Sequence, residues 1–416
     1  MIREGAMRAF NHRNFRILFP ASVLSNTGTW AQRVAQDWLV LELTGSAQLL
    51  GIITALQFLP FLLLSLYGGV LADRFDKRKL LMLTNFGAGL SSLALGILVV
   101  TGLVEIWHIA LLAFLVGVFS AIDAPVRTSF NSELVGQKDI GSAISLNSAN
   151  FNAGRLIGPA ASGFLIVLFG TGLSFIINSL TYIAVVIAFS LMRKEELHIT
   201  HKPNSAAKLD QAVRYVLGHR EIFLVMLAVF FATTFGLNFQ MFMAVMATAE
   251  FGKGPAEFGI LGSVLAVGSF TGVLVSARLE HLRVPKFVMV AGISFGLLLM
   301  ATSWMPSYGT FAAILPLVGG MALMMLISAN SYVQTNCEPS LRGRVMGIYL
   351  LIFMGGTPIG APLIGWLAEN IGIRMTVFLC GLVVLAASAI ILVLLIRKPG
   401  PEPVTESLPI IPDPEG

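Results

Sequence analysis

The stretch GGVLADRFDKRK, residues 68–79, changes within a few positions from an apolar run to a dense group of charges. Six of the seven residues from Asp73 to Lys79 are charged, and only Phe75 is not. A helix that crosses a bilayer needs roughly 20 predominantly apolar residues and ends where the chain meets water. The change at Asp73 is therefore typical of a short loop between two membrane-spanning helices.

The composition of the whole chain supports this interpretation. Apolar residues make up 56% of the 416 positions, charged residues only 12%, and the mean hydropathy is +0.83. Soluble domains carry about twice this share of charge, so we expect an all-α integral membrane protein. Twelve apolar segments are long enough to span a bilayer: 15–41, 48–72, 79–101, 106–126, 142–168, 172–192, 221–247, 256–279, 286–304, 309–335, 344–368 and 374–396.

Lysine and arginine predict the orientation of these segments. They concentrate at the N-terminus, in every second loop and after the last span, whereas the other loops hold little beyond Lys253 and Arg374. Short cytoplasmic loops retain Lys and Arg, so we expect an even number of spans with both termini in the cytoplasm. The pI near 9.3 then reflects membrane topology, and a nucleic-acid partner is not needed to explain it.

A polar and basic segment, 193–220, divides the chain into two six-span bundles, 1–192 and 221–398. Within it, Leu209, Val213, Val216 and Leu217 share one helical face, which predicts a cytoplasmic linker with an amphipathic helix on the membrane surface. The last segment, 399–416, contains six prolines and no periodic pattern, so we expect a disordered tail.

The two bundles contain an internal repeat. Glycines 141, 154, 158, 163 and 170 recur at 343, 356, 360, 365 and 372, each displaced by 202 residues. Together with an even number of spans, this spacing indicates two six-helix units inserted in the same direction. Parallel repeats of this kind place a substrate path between the halves near the middle of the bilayer.

GGVLADRFDKRK resembles the signature that the major facilitator superfamily carries between helices 2 and 3. The resemblance implies that superfamily's fold, with 12 transmembrane helices in two six-helix pseudo-repeats. It also implies that Gly69 permits close helix packing and that Asp73, Arg74, Lys77 and Arg78 form a cytoplasmic gate. Asp76 replaces the usual glycine, which predicts a less tight loop. The alternative is that these charges only set the membrane topology.

A finer resemblance covers nearly the whole chain. The ordered stretches FRILFPASVLSNTGTW, LELTGS and DAPVRTSFNSELV are similar to bacterial exporters of the enterobactin-exporter and transmembrane-secretion-effector group, which implies efflux across the bacterial inner membrane. GRLIGPAASG, residues 154–163, resembles the fifth-helix motif of drug/proton antiporters, although Ser162 departs from it. Gly154, Gly158 and Gly163 permit close helix approach and Pro159 breaks one helical hydrogen bond. Packing alone is the other interpretation of this motif.

Charges inside the spans are the main candidates for substrate binding or ion coupling, because embedded charges are costly and usually face a path. Arg33 and Asp37 are four residues apart on helix 1, and Asp123 and Arg127 are four apart near the cytoplasmic end of helix 4, so both pairs could form ion pairs. Arg155 lies nearest the midplane and needs a partner or an anionic substrate. Asp37 is interpreted either as a proton-coupling carboxylate or as a structural partner of Arg33. Asp123 is interpreted as structural or gating, and Arg155 as a substrate or coupling site or as a clamp within the bundle.

The amino-acid sequence leaves three functions open. The first is secondary active transport, as a proton-coupled exporter of amphipathic small molecules that works by alternating access as a monomer. The second is a lysophospholipid flippase of the same fold, and the third is a membrane sensor or scaffold that transports nothing. Histidines show no metal-ligand spacing, and no Gly-x-x-x-x-Gly-Lys-Ser/Thr sequence is present, so we expect no enzyme activity, no metal and no cofactor.

Overall fold

The computed structural model describes residues 5–198, 209–278, 284–339 and 341–397. These residues form thirteen α-helices: α1 (Arg13–Thr44), α2 (Ala47–Arg74), α3 (Lys77–Val100), α4 (Ile106–Phe169), α5 (Thr171–Ser190), α6 (Leu209–Gly218), α7 (Arg220–Phe231), α8 (Phe239–Val245), α9 (Pro255–Arg278), α10 (Pro285–Ser303), α11 (Tyr308–Asn336), α12 (Arg342–Ile371) and α13 (Ile373–Ile396). The expected tail, 399–416, lies outside the described residues.

The helices account for the twelve predicted spans. Ten helical segments in the described part of the chain are long and apolar enough to cross a membrane. One of them, α4, contains two helices, 106–135 and 137–169, which meet at Gly136 with φ at 68°. The remaining span is α1, which is 32 residues long. The prediction of an all-α membrane protein with twelve spans is therefore confirmed.

Local sequence explains where several helices begin and end. Gly45 adopts a left-handed conformation and ends α1, and the Ser46 side chain accepts a hydrogen bond from the Leu49 N–H at the start of α2. Asp76 caps α3, because its carboxylate accepts the Lys79 N–H at 3.1 Å. Such caps satisfy N–H groups that have no partner within the helix. The replacement of glycine by Asp76 thus supplies a helix cap.

The structure differs from the sequence prediction at two spans. A loop was expected near 127–141, but helix continues on both sides of Gly136, because a single left-handed glycine is enough to redirect the chain. One helix was expected over 221–247. The chain there is interrupted at Leu237–Asn238, between a π-helical turn, Ala232–Gly236, and α8.

The repeated glycines occupy matching positions in the two halves. Gly158 approaches α1, where an added Cβ would lie 2.9 Å from the Thr27 carbonyl oxygen and 2.6 Å from the Trp30 Cβ. Gly360 approaches the Thr234 backbone in the π-helical turn that follows α7. The 202-residue repeat therefore reflects one packing geometry used twice, in which a glycine lets the first helix of each half lie close to the fifth.

The two halves meet mainly toward one end of the bundle. We call the end that carries Arg16, Lys77 and Arg220 the basic face, and the end that carries Ser46 and Gly372 the opposite face. Near the opposite face, Gly365 of α12 lies against Ala47 of α2, and an added Cβ would lie 2.5 Å from the Ala47 carbonyl oxygen. At the basic face, Gly141 and Gly343 have open space around them. The contacts among the described residues thus join the halves toward the opposite face.

A second set of contacts between the halves involves α4 and α9. Gly163 lies against Pro255 and Ala256, and the Ser263 hydroxyl donates a hydrogen bond of 2.6 Å to the Leu156 carbonyl. A polar contact adds to those between α2 and α12, because Glu369 accepts hydrogen bonds from the Ser46 hydroxyl at 3.0 Å and the Gln48 N–H at 3.2 Å.

Candidate functional site

The basic residues after α2 bind to neighbouring helices of the first half. Lys77 forms an ion pair of 2.5 Å with Glu133, and Arg78 donates a hydrogen bond of 2.9 Å to the Ser190 carbonyl. Arg74 is exposed. Gly69 and Asp73 lie in α2, but their side-chain surroundings fall outside the described residues. The gating interpretation of this motif therefore stays a prediction.

A cavity of about 420 Å³ lies within the first half. Its lining extends from Phe15, near the start of α1, to Arg33, in the later part of the same helix. Asp123 and Arg127 line its wall together with Asn147, Asn150 and Tyr182. The cavity thus follows α1 from the basic face toward the interior and is lined by both polar and aromatic side chains.

Asp123 and Arg127 form the pair that their spacing predicts. Arg127 Nε and Nη2 donate to the two carboxylate oxygens at 2.7 and 3.0 Å. Asp123 also accepts hydrogen bonds from the Thr84 hydroxyl at 3.0 Å and the Asn85 amide at 2.8 Å. These four hydrogen bonds stabilise the negative charge of the carboxylate, which favours the structural interpretation of Asp123.

Replacement of Arg127 by alanine is expected to lower the free energy of unfolding by about 1–3 kcal/mol, because it leaves a charged acceptor without its cation. Arg214 provides a matched control, since it also pairs with an aspartate four residues earlier, at 2.6 Å, but is 76% exposed. Arg214→Ala is expected to cost less than about 0.5 kcal/mol. Thermal unfolding of the purified variants in detergent measures both, and equal losses would contradict the structural role.

Arg33 and Asp37 do not form an ion pair. Asp37 is only 7% exposed, and its carboxylate makes no hydrogen bond or ion pair with any described residue. The Arg33 guanidinium instead packs against aromatic rings, 4.8 Å from the centroid of Trp30 and 5.4 Å from that of Phe58. Arg33 and Asp37 still act on each other electrostatically. A buried carboxylate without a hydrogen bond or an ion pair is nevertheless costly when ionised, so proton uptake offers a way to neutralise it.

Arg155 also lies near the indole ring of Trp30. Its guanidinium carbon is 5.9 Å from the Trp30 centroid. Arg33, Arg155 and Trp30 together line a second cavity of about 160 Å³, whose other wall comes from the second half and includes Asn238, Gln240 and Gly262. Arg33 lines both cavities. Arg33 therefore borders both spaces, at a place where the two halves of the protein face each other.

The interruption after α7 forms the wall that the second half contributes. Asn238 lies in the break and donates a hydrogen bond of 2.9 Å to the Thr234 carbonyl. Leu237, Asn238, Phe239, Gln240 and Met241 all line the second cavity. Irregular backbone at membrane depth is tolerated where it is buried in protein or borders a cavity, and discontinuous helices commonly form transporter binding sites.

The fifth-helix motif lies at two boundaries. Gly154 and Gly158 approach Asn26 and Trp30 of α1, so this part of the motif holds the first half together and positions Trp30. Pro159 and Gly163 face Gly259 and Pro255 of α9, in the second half. The motif therefore packs against both halves and borders the second cavity at Pro159.

Sequence reasoning missed two parts of this arrangement. The first is Trp30, whose ring lies near both arginines. An available signal was its position three residues before Arg33, which places both on one helical face. The second is the interruption at Leu237–Asn238. Its signal was weak, because only Gly236 and Asn238 mark it within an otherwise apolar segment.

Several known proteins resemble this chain in sequence over most of its length. The family model described as transmembrane secretion effector matches residues 4–414. The staphyloferrin A transporter of Staphylococcus aureus is 27% identical over 88% of this chain and 92% of its own length. The multidrug efflux pump Tap of Mycolicibacterium fortuitum is 25% identical over 86% and 90%, and the enterobactin exporter EntS of Salmonella choleraesuis is 23% identical over 86% of each chain.

Solved structures show the same fold. A bacterial homologue of the human lysosomal transporter Spinster, in an inward-facing and unoccupied conformation, superposes with a TM-score of 0.74 at 14% identity, covering 92% of this chain and 97% of that chain. The nucleoside transporter NupG superposes with a TM-score of 0.71 at 12% identity. Both comparisons extend over nearly the full length and identify the architecture.

Proposed function

Because the chain belongs to the transmembrane secretion effector family of the major facilitator superfamily, we propose that it exports amphipathic small molecules across the bacterial inner membrane in exchange for protons. Membership makes it a multi-pass secondary transporter and not an enzyme. Relatives named as exporters and efflux pumps support the outward direction and substrates that resemble drugs or siderophores.

The observation that carries the proposal is the pair of cavities that both border Arg33. The larger cavity extends from the basic face, and the smaller lies between the halves. The halves make contact toward the opposite face, where Gly365 and Glu369 meet α2. This arrangement matches a transporter whose path is closed at one end, and alternating access requires the halves to rock about such a site.

The proposed topology places the basic face and both termini in the cytoplasm. Lys77, Arg78 and Arg220 all lie at that face, and cytoplasmic loops retain positive residues. The cavity beginning near Phe15 then collects substrate from the cytoplasm or the inner leaflet. Since both halves of the path belong to one chain, we propose that a monomer is sufficient.

Transport into inverted membrane vesicles tests the function. We expect an amphipathic fluorescent dye to accumulate when a proton gradient, acidic inside, is imposed, and to stop accumulating when the gradient is collapsed. Digestion of a tag at the C-terminus by added protease checks that the vesicles are inverted. A lysolipid is tested in parallel. Lysolipid movement that ignores the gradient, without dye accumulation, would contradict export and indicate a flippase.

A further inference from the structure

The second cavity is lined by two positive charges and, among the described residues, by no acidic side chain. Arg33 and Arg155 lie 4.8 and 5.9 Å from the Trp30 centroid. Arg33 acts electrostatically on Arg155, and Asp37 acts on Arg33 without an ion-pair contact. Neither guanidinium forms a hydrogen bond or an ion pair with a described residue. The nearest acid on the same helix, Asp37, does not line the cavity. Among the described residues, no carboxylate therefore forms an ion pair with either of these two like charges.

Unused hydrogen-bond donors lie around the same space. Arg33 Nε and Gln240 Nε2 are buried atoms without a hydrogen-bond partner. Leaving a buried donor unsatisfied costs about 1–3 kcal/mol, and more for a charged group. The two donors come from different halves of the protein, from α1 and α8, and both side chains line the cavity. A ligand with acceptor atoms would satisfy both.

An anion bound in the second cavity would lower the free-energy cost of embedding Arg33 and Arg155. Charges within spanning segments are costly and usually pair with one another or mark a substrate path. Two guanidinium groups that line one cavity gain most from an acceptor placed between them. Guanidinium groups bind planar oxyanions through paired hydrogen bonds. Trp30, Phe58 and Phe239 add an apolar surface beside this position.

We propose that the exported substrate carries an anionic group of the carboxylate class, which binds between Arg33 and Arg155. Gln240 donates a hydrogen bond to this group, and an apolar or aromatic part of the substrate packs on Trp30 and Phe58. This inference rests on the proposed function, because it names the substrate of the same path. Since Arg33 and Gln240 belong to different halves, the anion contacts both halves at once, and its departure removes a link between them.

Binding of radiolabelled 1-naphthaleneacetate, a small aromatic carboxylate, to the full-length protein in detergent tests the site. We expect saturable binding, with 1-naphthaleneacetamide, the neutral analogue of the same shape, competing at least about tenfold more weakly. Arg33→Gln and Arg155→Gln are each expected to weaken binding by about tenfold or more, and Arg155→Lys by less. Arg16→Gln, an exposed arginine of the same helix, is the matched control and keeps full affinity.

A second measurement separates loss of the site from loss of the fold. A bound ligand stabilises the folded protein by mass action, so naphthaleneacetate is expected to raise the melting temperature of the wild type and Arg16→Gln, but not of Arg155→Gln. Equal binding of the amide and the acid, full affinity in Arg155→Gln, or no saturable binding of naphthaleneacetate would each overturn the proposal.

A lysophospholipid phosphate could supply the same anionic chemistry. Lysophosphatidylglycerol is therefore added as a competitor, and we expect it to displace naphthaleneacetate less effectively than a soluble aromatic carboxylate such as 2-naphthoate. The reverse order would overturn a soluble substrate in favour of a lipid headgroup. Binding is measured independently of transport, so the two proposals can fail separately. If the protein binds naphthaleneacetate through Arg155 but moves no dye, export is refuted and the anion site is not. If it exports dye without requiring Arg155 and does not bind naphthaleneacetate, the anion site is refuted and export is not.

Discussion

Asp37→Asn is expected to abolish the proton-driven accumulation of substrate. The carboxylate is 7% exposed and has no hydrogen-bond or ion-pair partner among the described residues, so only the more distant action of Arg33 offsets its charge. Asparagine has the same shape but cannot take up or release a proton. A difference of one pH unit is worth about 1.4 kcal/mol, or about tenfold accumulation at one proton per substrate. In the variant this ratio is expected to fall to about one in inverted vesicles.

Substrate exchange without a gradient distinguishes lost coupling from lost transport. We expect Asp37→Asn to retain counterflow of labelled against unlabelled dye, because neither cavity is lined by Asp37. Asp139→Asn is the matched control. Its carboxylate pairs with His12 at 2.9 Å, outside both cavities, and accumulation should survive its replacement. Gradient-driven accumulation that persists in Asp37→Asn would return Asp37 to a structural role.

Gly365→Val is expected to stop transport by preventing the halves from closing at the opposite face. A Cβ at Gly365 would lie 2.5 Å from the Ala47 carbonyl oxygen and 3.0 Å from the Gln48 Cα. Backbone atoms of a second helix cannot move aside as a flexible side chain would, so valine forces α2 and α12 apart. Because opening of the opposite face relieves the clash, we expect the protein to stay folded. We expect transport to fall at least about tenfold, which corresponds to a loss of about 1.4 kcal/mol in the free energy that favours the conformation closed at the opposite face.

A cysteine at Thr54 reports the position of this closure. Thr54 lines the second cavity, and in a background with Cys337 and Cys380 replaced by alanine it is the single thiol. We expect an impermeant maleimide added to intact cells to label it faster in Gly365→Val than in the parent. Gly309→Val is the control, because the same change at Gly309, at the start of α11, meets open space. Slow labelling in Gly365→Val, or equal loss of transport in the control, would contradict the assignment.

Several elements of the fold could be predicted from sequence because each depends on local composition. The apolar segments give the spans, since no other structure satisfies the backbone in hydrocarbon. The 202-residue glycine repeat indicated two equivalent units, and Gly158 and Gly360 do make equivalent approaches to the first helix of each half. Aspartate and arginine four residues apart predicted the pair of Asp123 and Arg127, which the structure forms at 2.7 Å.

The same spacing predicted an ion pair between Arg33 and Asp37, which the structure does not form. A separation of four residues brings two side chains to one helical face, but rotamer and surroundings decide whether they meet. Trp30 and Phe58 offer the Arg33 guanidinium an aromatic surface, and a cation gains about 0.5–2 kcal/mol over such a ring when desolvated. That surface includes a residue of α2, which no pattern within α1 could reveal.

By itself, the sequence determined that this chain lies in a membrane, that it has twelve spans in two related halves, and which few charges are embedded among them, because hydropathy, repeat spacing and charge are properties of the residues alone. Only the tertiary structure decided which of these charges are compensated. Asp123 obtains its partners from α3 and α4, whereas Arg33, Arg155 and Gln240 come together from three helices of two halves around one cavity. The cost of a buried charge depends on what surrounds it, and those surroundings exist only after distant segments have packed.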